Sequence, residues 1–141
     1  MDNSKGRILG IGGIFFKSDD PKKDKAWYED NLGLNANDYG VTFEYKNAND
    51  DSRQYLQWSR FSENTDYFEP SSKEFMINYV VDDLDAFLVK LADKGIQPVG
   101  EIMRESYGNF AHIIDGNGRK IELWEKIDPA FTDTAVINTH K

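Results

Sequence analysis

Among the ionisable side chains of this 141-residue chain, Glu122 has the setting best suited to chemistry. It alternates with apolar residues in Lys120-Ile-Glu-Leu-Trp-Glu125, and a carboxylate among aromatic side chains is a candidate general acid or base. Its competing role is an ion pair with Lys17, Arg104 or Lys120. Histidine is scarce, with only His112 and His140 in the chain. His112 falls in Phe110-Ala-His-Ile-Ile114, where strand alternation puts it on one face with Phe110 and Ile114. A structural hydrogen bond and a cleft acid/base role both fit it there. His140 belongs to a polar tail that is expected to fray. No Ser–His–Asp order or nucleophile elbow is visible, and Gly10-Ile-Gly12-Gly13 has neither GxGxxG nor P-loop spacing. Those glycines predict close packing of a neighbouring strand, or room for a ligand.

Composition narrows the partners. Asp and Glu number 25 against 17 Lys and Arg, for a formal charge of −8 and no basic stripe, so nucleic acid and anionic membranes are not expected. No apolar run approaches the ~20 residues of a membrane helix. The chain has no cysteine, which removes disulfides, thiolate zinc sites and a cysteine nucleophile together. That fits a reducing compartment, and a cytoplasmic location is expected. Nine Phe, seven Tyr and three Trp can supply a core or an apolar pocket.

The elements that must position these groups form two similar series. Residues 8–16, 41–45 and 54–60 read as strands, with a helix between the first two. That helix begins after Asp19-Asp20-Pro21 and stops at Gly33. Residues 62–73 read as a connecting loop, with a short strand around Tyr67-Phe68. Strand 75–81 restarts the series. Leu84, Phe87, Leu88 and Leu91 then mark a helix that opens at Asp82-Asp83 and stops at Gly95. Strands follow at 96–100, limited by Pro98, and at 109–114 and 120–125, the last two joined through Asp115-Gly-Asn-Gly118. The Asp pair recurs at an offset of 63 residues and the stop glycine at 62, which predicts an internal duplication. Each half has one apolar sheet face, so the two must bury theirs together.

The run Asp19-Asp-Pro21, Trp27-Tyr28 and Leu32-Gly33 resembles the first-helix signature of the vicinal oxygen chelate superfamily, which includes glyoxalase I, extradiol dioxygenases and bleomycin-resistance proteins. Val81-Asp-Asp-Leu-Asp-Ala-Phe87 with Gly95 resembles its second, and Asp115-Gly-Asn-Gly-Arg-Lys-Ile-Glu-Leu-Trp-Glu125 resembles its terminal hairpin. The resemblance implies an α+β fold: duplicated βαβββ modules forming a curled mixed sheet around a shared cleft. A single domain over 1–130 would hold modules at about 8–69 and 74–126, followed by a polar tail at 131–141. Related enzymes hold a divalent metal with His, Glu or Gln from four strands. Counting from the helix signatures puts those positions on Gly13, on Leu56 (or Gln57 after a one-residue slip), on Met76 and on Glu122. Only Glu122 matches the family's ligand, so no cofactor is expected, and a metal could bind only at an atypical site through Glu122.

Alternation from these positions predicts a cleft lined by Gly13, Phe15, Trp58, Met76, Asn78 and Trp124. Arg104 and Tyr107 lie on a loop at its entrance, and Glu122 and His112 are the catalytic candidates. Gly13 is expected to leave space where a ligand histidine would stand. The reading is a metal-free protein of the glyoxalase/bleomycin-resistance type that binds a small apolar or aromatic molecule. The alternative is a glyoxalase-like lyase or isomerase acting on a small carbonyl compound through Glu122; a dioxygenase is not expected. Members of the superfamily often form homodimers.

Overall fold

The chain's fold follows from two short helices that cover one face of a single sheet. A computed structural model describes residues 5–46, 48, 51 and 53–127, and the backbone of 139–140. The strands are β1 (Ile8–Ser18), β2 (Val41–Lys46), β3 (Arg53–Ser62), β4 (Phe75–Val81), β5 (Met103–Glu105), β6 (Gly108–Ile114), β7 (Lys120–Lys126) and β8 (Thr139–His140). The helices are α1 (Pro21–Leu32), after β1, and α2 (Leu84–Asp93), after β4. Both start as their sequences predict. The Asp20 side chain accepts from Lys23 N at 3.1 Å and the Asp83 side chain from Ala86 N at 3.0 Å, meeting donors that a first turn leaves unpaired. Gly33 ends α1 in the left-handed region at φ 71°, which a residue with a Cβ occupies only under strain.

The sheet order is β5-β6-β7-β4-β1-β3-β2-β8. β1 and β4 meet antiparallel at its centre, each flanked by the last strand of its own module in parallel: β3 beside β1, β7 beside β4. β2 and β6 then pair antiparallel with β3 and β7. The duplication is therefore visible in topology as well as in helix caps. The modules differ at their edges. The second adds β5 outside β6, while the matching place beside β2 is taken by β8, which pairs parallel through Thr42↔Thr139 and Phe43↔His140. The backbone of His140 thus lies on the sheet edge rather than in a frayed tail. Residues 131–138 and 141 of the expected tail lie outside the described residues.

Two other local expectations are corrected. Residues 96–100 form no strand: Pro98 lacks an N–H, and the segment meets the sheet through Val99 N to His112 O at 2.8 Å, while the ladder strand is Met103–Glu105. Tyr67 and Phe68 belong to turns, with Glu69 N bonded to Asp66 O and Ser71 N to Phe68 O.

Alternation sorts the strands into two faces. Val81, Ala111, Ile113 and Leu123 pack with Leu84, Phe87, Leu88 and Leu91 of α2. Under α1, Trp58 lies 5.1 Å from Phe16 and 4.8 Å from Tyr28 between ring centroids. The opposite, helix-free face carries the polar groups that follow.

Candidate functional site

Strand register draws one transverse row across six strands: Thr42, Gln57, Gly13, Asn78, Glu122 and His112. Partners in register point to the same side, so five polar side chains line up with a gap at Gly13. On one side of the gap, Thr42 Oγ1 and Gln57 Oε1 are 2.6 Å apart, and Gln57 Nε2 donates to Tyr39 O and Ser59 Oγ. On the other side Glu122 Oε1 accepts from Asn78 Nδ2 at 2.6 Å, and His112 Nε2 lies 2.8 Å from Glu122 Oε2. The Tyr67 hydroxyl donates to the same Oε2. Asn78, Glu122 and His112 are 1, 3 and 5 % exposed. Burying a carboxylate this far is tolerable only where hydrogen bonds replace lost water, and here three donors do so.

Apolar rows flank this polar one. Val80, Trp124 and Phe110 are in register, with the Trp124 and Phe110 rings stacked at 5.5 Å. On the other flank Phe15 and Met76 are in register and form a buried cluster with Phe68 from the loop between β3 and β4. That loop also lays the Tyr67 ring parallel to Phe61, 5.8 Å between centroids, and edge-on to His112 at 5.3 Å. Lys120 Nζ donates to Tyr67 O at 2.6 Å and stands 5.3 Å from the Tyr67 ring centre.

The electrostatics follow from this crowding. Burial, then the neighbouring Glu122 charge and hydrogen bond, push the Tyr67 hydroxyl well above its ordinary value, so it remains a donor at neutral pH. Burial, then Glu105 and Glu122, also push Tyr107 up. Lys120 is pushed down by burial, which outweighs the opposing pull of Glu122, Asp66 and Glu69.

The structure brings Glu122, His112, Asn78, Phe15, Met76, Gly13 and Trp124 to one face. It removes two residues from it. Trp58 aligns with Ile14 and points the other way, against α1, so Gln57 rather than Leu56 holds the first module's position. Arg104 lies in β5 and pairs with Asp85 of α2 at 2.8 Å rather than guarding an entrance. Tyr107 sits half-exposed at the rim, its ring 5.8 Å from Phe110. Counting from the helices also chose Met76, whereas Asn78 is the register partner of both Gly13 and Glu122. Met76 pairs instead with Phe15, two residues along the same face.

Gly13 does not leave an open space. A Cβ there would stand 2.7 Å from the Phe15 ring, which folds over the position. Gly12 is the tighter site, its missing Cβ falling 2.5 Å from Asn78 Oδ1 and 2.7 Å from Val80 Cγ2. Asn78 Oδ1 itself is buried with no hydrogen-bond partner among the described residues. Tyr67 is the residue that sequence reasoning missed: it comes from a loop, where no alternation assigns a face.

The positions that the resemblance assigns to metal ligands are Gly13, Leu56 or Gln57, Met76 and Glu122, and Asn78 lies in register with both Gly13 and Glu122. Gly13 has no donor atom, Gln57 is engaged by Thr42, Tyr39 and Ser59, and Asn78 turns its Nδ2 donor toward Glu122. Both Glu122 oxygens are already acceptors, and His112 Nε2 is joined to one of them. No group of three His, Asp or Glu suited to a metal occurs among the described residues. This donor set does not fit a divalent ion, which needs several free N or O ligands converging on one point.

The paired modules, central β1–β4 contact and terminal hairpin define a vicinal oxygen chelate (glyoxalase-like) fold. Solved structures with this arrangement include methylmalonyl-CoA epimerase from Mycobacterium tuberculosis, 19% identical over 94% of this chain and 97% of that one, TM-score 0.58. A methylmalonyl-CoA epimerase in complex with methylmalonyl-CoA and NH4+ is 17% identical, with 95% and 100% coverage and a TM-score of 0.60. A chain described as NAD-dependent benzaldehyde dehydrogenase from Legionella pneumophila is 12% identical, with 82% and 98% coverage and a TM-score of 0.52. At these identities the likeness establishes the fold, and a shared fold does not carry a reaction with it. No family model and no curated protein matches the chain.

Proposed function

We propose that the chain is a small-molecule-binding protein whose ligand site is the helix-free face around Glu122, and that binding there uses no divalent metal. The observation that carries this reading is the buried Asn78–Glu122–His112 row between rows of aromatic and aliphatic side chains. Apolar walls with a few fixed hydrogen-bonding groups are what a small-molecule site needs. The unpartnered Asn78 Oδ1 adds an incentive, because an unmet buried acceptor costs about 1–3 kcal/mol and a donor from a ligand would recover part of it. The test combines elemental analysis of purified protein with a thermal-shift screen of p-cresol, benzaldehyde, indole and divalent metal salts. Stabilisation by an aromatic compound in metal-stripped protein supports the reading. Stoichiometric bound metal, or stabilisation by metal alone, overturns it.

A second reading is a metal-free isomerase, favoured by the 2.8 Å contact between His112 Nε2 and Glu122 Oε2. If a substrate replaces the Tyr67 hydroxyl, Oε2 regains a lone pair that can take a proton next to a carbonyl, with His112 beside it. The neighbouring structures are named epimerases of a CoA thioester, and an epimerase must remove a proton and return it at one carbon. Exchange of the substrate C–H with deuterium, followed by NMR in D2O with methylmalonyl-CoA, tests this: exchange that persists unchanged in Glu122→Gln removes Glu122 from the role.

A further inference from the structure

We infer that the ligand of this face carries a phenolic hydroxyl and binds by displacing Tyr67, which occupies the phenol site as an intramolecular stand-in. This inference rests on the binding function proposed above and names the ligand class of the same site.

The Tyr67 ring packs beside Phe68 of its own loop, between β3 and β4, but the partners of its faces, edge and hydroxyl described next stand on strands. Phe61 of β3 lies parallel to its ring at an interplanar angle of 4°. His112 of β6 presents at 89° to it, and Lys120 of β7 stands on its face. Glu122 of β7 accepts the hydrogen bond that the Tyr67 hydroxyl donates. Together these contacts specify a flat ring, an electron-rich face turned to a cation, and a hydroxyl donor at one edge. A ligand that ends in a carboxylate is excluded at this end, because it would bring a second negative charge against Glu122.

The loop is built so that this ring can leave while the segment stays. Phe68 is fully buried with Phe15 and Met76 and anchors the turn, whereas Tyr67 is only half-buried. Backbone ties from Lys120 Nζ to Tyr67 O and from Tyr67 N to Thr65 Oγ1 hold the main chain independently of the ring. Rotation about the Tyr67 side-chain bonds is then sufficient to open the place. A tethered competitor has an effective concentration in the millimolar range or above, so it lowers the apparent affinity of a free phenol by the fraction of time the site is open.

The experiment titrates full-length wild type, Tyr67→Ala and Tyr67→Phe with p-cresol, the free form of a tyrosine side chain, and with toluene, which lacks the hydroxyl. Calorimetry gives affinity, and the Tyr67 ring resonances in wild type report displacement. The expected result is roughly tenfold tighter p-cresol binding by Tyr67→Ala than by wild type, with Tyr67→Phe between them. Toluene should bind at least about tenfold more weakly than p-cresol, and the wild-type Tyr67 resonances should shift as p-cresol saturates. Equal affinity of wild type and Tyr67→Ala, or equal affinity for p-cresol and toluene, overturns the inference. If p-cresol, indole or benzaldehyde binds the folded wild type without moving the Tyr67 resonances, displacement is wrong and the binding function stands. If folded wild type and Tyr67→Ala both bind none of them, the binding function fails as well.

Discussion

Glu122 is held by three donors from three places: Asn78 on β4, His112 on β6 and Tyr67 on a loop. Replacing it with Gln keeps the shape but puts an NH2 where an acceptor stood, facing at least one buried donor. Glu122→Gln should therefore lose about 2–3 kcal/mol of stability in urea unfolding, and a loss well below 1 kcal/mol would mean that the cluster is not tightly coupled. Tyr67 has a separate signature in alkali. Its folded-state value is raised, so above the ordinary value of 10.0 the unfolded chain gives up this proton while the folded chain keeps it. The stability it contributes is full below that pH and declines as pH rises beyond it. Unfolding free energy measured from pH 9 to 12 should fall more steeply in wild type than in Tyr67→Phe, and parallel curves would contradict the burial of this hydroxyl against Glu122. The candidate residues on strands were legible because alternation assigns a face. Tyr67 was not, since no periodicity governs a turn.

At the scale of elements, β1 shows how a missing side chain shapes the site. A methyl group at Gly12 would collide with Asn78 Oδ1 and Val80, whereas one at Gly10 meets nothing within 4 Å. Gly12→Ala should cost about 1–3 kcal/mol, and Gly10→Ala should be neutral or gain about 0.5–1 kcal/mol; equilibrium unfolding of the two variants checks the contrast. Loss of either helix cap, in Asp20→Ala or Asp83→Ala, should cost about 1 kcal/mol by the same measurement. Caps and glycine stops were readable from sequence because they depend on a few adjacent residues. Register was not, because it is set between strands distant in sequence: Gly13 pairs with Asn78, and Met76 with Phe15. Trp58 was misassigned for a related reason: alternation separates two faces without saying which one a helix covers. The strand expected at 96–100 followed its apolar residues, yet the ladder formed at Met103–Glu105, where backbone donors were free to pair with β6.

For the whole molecule, duplication aligns the two halves so that one polar row crosses from Thr42 to His112. Within that row, hydrogen bonds join Thr42 to Gln57 on one side of Gly13 and Asn78, Glu122 and His112 on the other. Removing divalent ions with EDTA should leave the thermal midpoint unchanged, and a clear fall on chelation would contradict the metal-free reading. Much of this architecture was legible in sequence, since repeated Asp caps, stop glycines and a terminal hairpin announce two similar modules. The interior chemistry was less so, because it depends on which residues meet across strands distant in sequence, as Asn78 meets Glu122 across 44 positions. The central claim is that this row is a metal-free ligand site. The most direct measurement is an NMR titration of metal-stripped wild-type protein with p-cresol, benzaldehyde and indole, following the His112 imidazole and the Asn78 side-chain amide. Saturable shifts of both resonances with at least one aromatic compound are predicted. Resonances that stay fixed with all three, or that move only after a divalent metal is added, would contradict the account.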